Sequence, residues 1–312
     1  MKDTTGKAPD RSVAARSQKK KAMVILNPAS GKEKAADYTR DIKSVLRSNG
    51  YEVDLRETAG ELDATRFCES ACEECYELVV SMGGDGTLHE TINGLMHQPF
   101  QPKLGVVPLG TVNDFARALG IPLEPEEAIR TLASLRVVKV DMGLLNDRLF
   151  SNVVAAGSIA EAVAAVTSEE KSRLGAFAYL KEGLKELIGR RSYPMHISYD
   201  GQIWEGDSPL FVAALTNSVG GFENLAPDAS VDDGLIHGFI FKDLGVFSTL
   251  TAGLSLWFGS LKNHKDVVYF TAKEISVSSS ETVRTNVDGE EGPDLPIHLR
   301  ILPGHVQVIV PE

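Results

Sequence analysis

The segment Ser81-Met-Gly-Gly-Asp-Gly-Thr-Leu-His-Glu90 sets three glycines and one carboxylate between an apolar run and a helical pattern. The run before it, Glu77-Leu-Val-Val-Ser-Met82, reads as a buried strand, and Leu88, Ile92 and Leu95 recur behind it at helical spacing. Gly83, Gly84 and Gly86 therefore fall on a strand-to-helix turn. Glycine there allows positive φ and lets backbone N–H groups approach an anion closely. The helix N-terminus, which Thr87, Leu88 and His89 open, adds partial positive charge. Asp85 would repel a bare phosphate, so it fits a site that also holds Mg²⁺ or a second substrate's hydroxyl. The turn matches neither the dinucleotide fingerprint nor the usual P-loop. The combination points to phosphoryl-transfer chemistry, with a tight turn that holds no ligand as the alternative for this segment taken alone.

Two further turns share this character. Met23-Val-Ile-Leu-Asn-Pro-Ala-Ser-Gly-Lys32 is a strand running into a turn, followed by a helix with Tyr38, Ile42, Val45 and Leu46 on one face. Leu104-Gly-Val-Val-Pro-Leu-Gly-Thr-Val-Asn-Asp-Phe-Ala-Arg117 is again strand, Gly turn and helix. Asn27, Ser30, Gly31 and Lys32 offer donors at one turn; Gly110, Thr111 and Asn113 offer them at the other. In an open parallel sheet such loops gather at the carboxyl ends of the strands, where ligands bind.

The 312 residues exceed what one core usually fills. Strands expected near 23–27, 51–56, 77–82, 104–107 and 136–141 alternate with helices, which describes a parallel α/β sheet over residues 22–141. Beyond this, residues 142–312 offer short, turn-bounded strands at 149–155, 195–199, 202–205, 210–216, 235–241, 267–277, 282–287 and 297–310. They read as an antiparallel sandwich or barrel-like second domain, with the last strand free to return to the first. The site is expected between the two domains. Residues 1–21 are polar, lack a periodic apolar face and read as a disordered basic tail.

With a net charge of −11 and pI about 5.2, the chain is a poor nucleic-acid binder. It shows no signal-peptide core, and three cysteines form no even framework, which fits a reducing, cytoplasmic setting. Cys68, Cys72 and Cys75 match the spacing of a radical-enzyme cluster. They also fall at i, i+4 and i+7 on a helix, and the reading favoured here is structural thiols. Residues 244–261 form the most apolar stretch. Three glycines and five Ser/Thr residues make it an amphipathic packing helix rather than a transmembrane span. Residues 171–191 combine an apolar stripe with six basic side chains, and fit either a helix covering the second domain or a surface for anionic membrane.

Taken in order, Asn27-Pro-Ala-Ser-Gly-Lys32, Gly83-Gly-Asp-Gly-Thr-Leu88 and Pro108-Leu-Gly-Thr-Val-Asn-Asp-Phe-Ala116 resemble the motifs of the diacylglycerol kinase catalytic-domain family. Its soluble bacterial branch is the nearest match, with sphingosine and ceramide kinases as relatives. The resemblance runs on through Gly220-Gly-Phe-Glu-Asn-Leu-Ala-Pro-Asp-Ala-Ser-Val-Asp-Asp-Gly-Leu235 and Asn286-Val-Asp-Gly-Glu290, so it spans residues 22 to 310. It implies a Rossmann-like α/β domain, akin to NAD kinases and phosphofructokinases, followed by a β-sandwich domain. It also implies ATP-dependent phosphorylation of a lipid hydroxyl at a membrane surface, with diacylglycerol giving phosphatidic acid. A homodimer is possible.

The resemblance assigns roles. Asn27, Lys32, Thr58, Gly83 to His89, Thr111 and Asn113 hold ATP; Asp85 organises catalytic Mg²⁺ and its water. Glu290 is the proton acceptor, with Glu291 one residue away as the competing frame. Ser230, Asp233 and Leu235 hold a structural Mg²⁺, in a segment that on its own reads as an Asp-Gly turn. NAD kinases and phosphofructokinases share the Gly-Gly-Asp-Gly turn, but the first and third motifs favour a lipid acceptor. A sphingoid lipid or NAD as acceptor, and a non-catalytic sensor, are the rival readings. Intact Asp85, Asp233 and Glu290 argue against the sensor.

Overall fold

The computed structural model describes residues 20–30, 38–134, 136–158, 191–218, 225–242 and 259–312. Four parallel strands start the fold: β1 Lys20–Leu26, β2 Tyr51–Glu57, β3 Leu78–Gly83 and β4 Lys103–Pro108. They lie in the order β2-β1-β3-β4. All six residues of β3 are buried, as a strand covered on both faces requires. Helix α1 (Thr39–Ser48) lies between β1 and β2, α2 (Asp63–Glu73) between β2 and β3, and α3 (Asp85–Asn93) between β3 and β4. Ile42 and Leu46 of α1, Ala64 and Cys68 of α2, and Ile92 of α3 bury their apolar faces in one core with the strands. Each fully buried aliphatic side chain contributes about 1.5–3 kcal/mol.

Strand β1 begins earlier than expected. Lys20 and Lys21 belong to it, paired with Tyr51 and Glu52, so the 1–21 tail yields its last two residues to the sheet. Their ammonium groups lie over the rings of Tyr51 and Tyr76, which lets an exposed basic pair end a buried strand.

The fifth strand corrects the parallel reading. After α4 (Asp114–Ala118) and α5 (Pro125–Thr131), β5 Val137–Leu145 runs antiparallel to β16 Ile297–Ile309. The place beside β4 is taken by β16 itself, with Val308 parallel to Leu104. Leu299 pairs with Leu145 and also with Ile275 of β13 (Glu274–Ser279), so β5 and β13 occupy opposite edges of β16. The last strand thus returns to the first sheet and carries it into the second half of the chain. There β8 Tyr193–Tyr199 and β9 Gln202–Ser208 complete the sheet, with the short β6 (Arg148–Phe150) on β5.

A second, wholly antiparallel sheet runs β12-β11-β10-β7-β14-β15, built from β7 Val153–Gly157, β10 Leu210–Ala214, β11 Ile236–Phe241, β12 Val267–Ala272, β14 Thr285–Val287 and β15 Glu290–Glu291. The two sheets enclose a core of residues such as Phe150, Phe211, Ile197, Ile275 and Leu299. This is the expected sandwich.

Two expected single strands are each split by a carboxylate. The 149–155 run breaks into β6 and β7 because the N–H groups of Ser151, Asn152 and Val153 donate to Asp288. The 267–277 run breaks at Lys273, whose N–H donates to Asp200, and its halves enter different sheets. A third carboxylate, Asp141, accepts from Gly304 N at the β16 bulge and from Gly234 N.

Segments 171–190 and 244–258, Gly31 and Lys32 lie outside the described residues. Cys68 and Cys72 are buried on α2, and Cys75 is exposed just past its end.

Candidate active site

The three turns meet at one sheet edge. Asn27 N donates to Met82 O, Leu109 N to Gly83 O and Thr58 N to Leu26 O, which sets the exits of β2, β1, β3 and β4 side by side. The glycines act here through lack of bulk rather than positive φ; none of Gly83, Gly84 and Gly86 has positive φ. A Cβ on Gly83 would stand 2.5 Å from Thr87 Oγ1, and one on Gly110 would stand 2.9 Å from Gly84 Cα. Helix α3 starts at Asp85, so Gly86 and Thr87 lie within its first turn, where backbone N–H groups have no intrahelical acceptor.

Asp85 sits among these groups. Its Oδ2 accepts the Asn113 N–H at 2.9 Å. Burial pushes its carboxyl up to about 6, and the carboxylates of Asp114 and Asp288 add to this against the N–H of Asn113. Asn113 has φ 54°, and its side chain exchanges two hydrogen bonds with the Gly110 backbone. It shapes the third turn. Asn27 Nδ2 donates to Thr87 Oγ1 and Asn27 Oδ1 accepts from Ala29 N, so both residues brace the first turn against α3. Thr111 is exposed and Thr58 half-buried at the same edge.

The β14–β15 hairpin closes over this edge. Asp288, at φ 51° in the turn, is buried and accepts hydrogen bonds from Ser151 N, Ser151 Oγ, Asn152 N and Val153 N, and it meets His89 Nδ1 at 3.1 Å. Burial pushes its carboxyl up, but the His89 hydrogen bond and the N–H groups of Ser151 and Val153 outweigh that and hold it below the ordinary range. Glu290 projects toward α3: a Cβ on Gly86 would stand 2.9 Å from its Oε1. Its Oε2 accepts from Arg148 Nη2 at 3.0 Å. Glu291 turns away, toward Arg284 at 3.7 Å.

A model of the diacylglycerol kinase catalytic domain matches residues 21–145, and one of the YegS C-terminal NAD kinase beta sandwich-like domain matches residues 152–310. A protein named diacylglycerol kinase from Staphylococcus haemolyticus is 38% identical over 94% of this chain and 89% of its own length. The chain belongs to the diacylglycerol kinase family. A namesake from Staphylococcus epidermidis is 39% identical over 94% of the chain and 93% of its own. A crystal structure from Bacillus anthracis superimposes with a TM-score of 0.84 at 27% identity, covering 96% of this chain and 97% of that one.

Placed in the family fold, the expected residues fall into two groups. Asp85, Gly86 and Glu290 come together from opposite halves of the chain. Leu88 and His89 are buried, and the His89 side chain faces Asp288 and Arg148. Ser230, Asp233 and Leu235 form one turn, in which Asp233 accepts from Ser230 N, Leu235 N and His237 Nε2. Sequence reasoning missed Arg148, Asp141, Asp288's ligation of three N–H groups and the buried Ser218–Asp114 bond. Arg148 and Asp141 lie in no motif, and although Asp288 and Asp114 do, their partners come from segments distant in sequence.

Among the described residues no helix is long and apolar enough to cross a membrane.

Proposed function

We propose that the protein transfers the γ-phosphate of ATP to the hydroxyl of a membrane lipid, diacylglycerol first among the acceptors. The observation that carries this reading is Glu290 standing over Gly86, at the first turn of α3. The N–H groups of that helical turn, which have no intrahelical acceptor, receive phosphate oxygens, with the turns after β1 and β4 beside them. Glu290 takes the proton of the acceptor hydroxyl as the oxygen attacks phosphorus and the bond to ADP breaks. Relatives named diacylglycerol kinase over almost the whole chain support the acceptor class.

Mg²⁺ fits the chemistry of two places. Asp85 is pushed up by burial and neighbouring carboxylates, so a divalent cation there relieves uncompensated charge. Among the described residues no cluster of three ligating side chains exists, so Asp85 would share the ion with ATP phosphates and water. When bound, the ion neutralises charge developing on the phosphates. The second place is the 230–235 turn, where Asp233 Oδ1 accepts one N–H and keeps a lone pair for a cation shared with backbone oxygens of Ser230 and Leu235.

The acceptor reaches the site from a membrane surface, with the protein peripheral to it. Single-turnover rates test the base. Glu290→Gln is expected to lose about 10²- to 10⁴-fold while ATP binding persists. Glu291→Gln is expected to be mild, and the reverse order would overturn the assignment.

A further inference from the structure

Four side chains from three distant segments form one continuous line at the hairpin. Asp288 meets His89 Nδ1 at 3.1 Å; Arg148 Nε donates to His89 Nε2 at 2.8 Å; Arg148 Nη2 donates to Glu290 Oε2 at 3.0 Å. Because Nε2 accepts from Arg148, the imidazole proton sits on Nδ1 and faces Asp288. Asp288 is itself fixed by the N–H groups of Ser151, Asn152 and Val153. His89 and Asp288 are almost fully buried, while Arg148 and Glu290 are 35% and 44% exposed at their side chains. The line therefore runs from a rigid interior anchor to a long side chain on a two-residue strand.

We infer that Arg148 is a positioning residue, held by the His89–Asp288 pair, that sets the Glu290 carboxylate over the first turn of α3 for proton transfer. The inference rests on Glu290 being the base. The physical need is plain. A glutamate on a hairpin tip has three rotatable bonds and loses about 1–2 kcal/mol of freedom on being fixed. A displacement of about 1 Å at a reacting group costs about 10²-fold in rate. Arginine suits the task because its planar fork donates at Nε and Nη2 at once, where lysine presents one ammonium on a flexible stem. His89 matters as an acceptor, not as a nucleotide ligand. Arg148 Nη1 also donates to the Glu291 carbonyl at 3.5 Å, the Glu291 carboxylate pairs with Arg284, and the Asp85 carboxylate interacts with Asp288.

The test is steady-state kinetics with ATP, Mg²⁺ and diacylglycerol in mixed micelles on Arg148→Met, Arg148→Lys, His89→Gln and His89→Leu. Each is made in the wild-type chain, and Arg148→Met also in a Glu290→Gln background. Arg148→Met is expected to lower kcat about 10- to 100-fold with KM for ATP held within about twofold. Arg148→Lys recovers part of the loss. His89→Gln, which keeps an acceptor for Arg148 Nε, retains more activity than His89→Leu. On the Glu290→Gln background Arg148→Met adds almost nothing, because both changes remove one function. A raised KM for ATP with kcat intact would overturn the inference and make Arg148 a phosphate contact. Multiplicative losses would overturn it as well. If Glu290→Gln alone keeps full kcat, the base assignment falls and the inference with it. If Glu290→Gln is crippled and Arg148→Met is not, the inference alone falls.

Discussion

Gly86 makes room for Glu290: a Cβ on the glycine would stand 2.9 Å from the glutamate's Oε1. The two residues come from opposite halves of the chain. In the proposed reaction their contact joins the helix N-terminus that would face phosphate to the carboxylate that would face the acceptor.

Gly86→Ala therefore separates activity from stability. The obstacle is the far end of a flexible side chain, and alanine is the better helix former by up to about 1 kcal/mol. Melting temperature is expected to hold or rise while kcat falls about 10- to 100-fold. Gly110→Ala is the contrast: its Cβ would meet the Gly84 backbone at 2.9 Å, which cannot rotate away. Loss of stability by about 1–3 kcal/mol is expected there, read by thermal melting.

Asp85 gives a pH signature. Its carboxyl is raised from 3.8 to about 6, so the folded state holds the proton more tightly than the unfolded chain. The associated stability is present below pH 3.8 and is lost as pH rises through about 6. In metal-free buffer Asp85→Asn is expected to be more stable than wild type at pH 7.5 by on the order of 3 kcal/mol, and close to it at pH 3.5. Its activity should vanish. Equal stability of the two proteins across that window would contradict the buried, uncompensated carboxylate.

Asp288 behaves oppositely. Its carboxyl is held below the ordinary value of 3.8, so its contribution is present above that pH and lost as pH falls through the folded value. Asp288→Asn leaves N–H groups of Ser151, Asn152 and Val153 facing an amide. A loss of about 2–4 kcal/mol at pH 7 is expected from urea unfolding, shrinking toward low pH.

Asp233 tests the second cation. If Mg²⁺ binds the folded 230–235 turn, wild-type melting rises with Mg²⁺ and falls with chelator by mass action. Asp233→Ala should melt lower and lose most of that dependence. Wild-type melting that ignores both additions would remove the site.

Much of this was legible in the chain. The buried run before Gly83 and the 3.6-residue spacing after it gave strand, turn and helix without tertiary information. The motifs mark Asp85 and Glu290 as candidates from the chain alone. What stayed hidden depends on long-range pairing. The antiparallel direction of β5 follows from β16 occupying the slot beside β4, and no local pattern in 137–145 reports that. The break at Ser151–Asn152 is dictated by Asp288, far along the chain. The partners of His89 are hidden for the same reason: Arg148 and Asp288, both distant in sequence, take its two ring nitrogens.

The most direct measurement is radiolabelled phosphate transfer from ATP, with Mg²⁺, to a panel containing diacylglycerol, a sphingoid base and NAD, each presented to the folded protein under the same conditions. The account predicts labelled phosphatidic acid from diacylglycerol as the fastest product, with transfer lost in Glu290→Gln. No labelled lipid from any acceptor, or faster labelling of NAD than of every lipid, would contradict it.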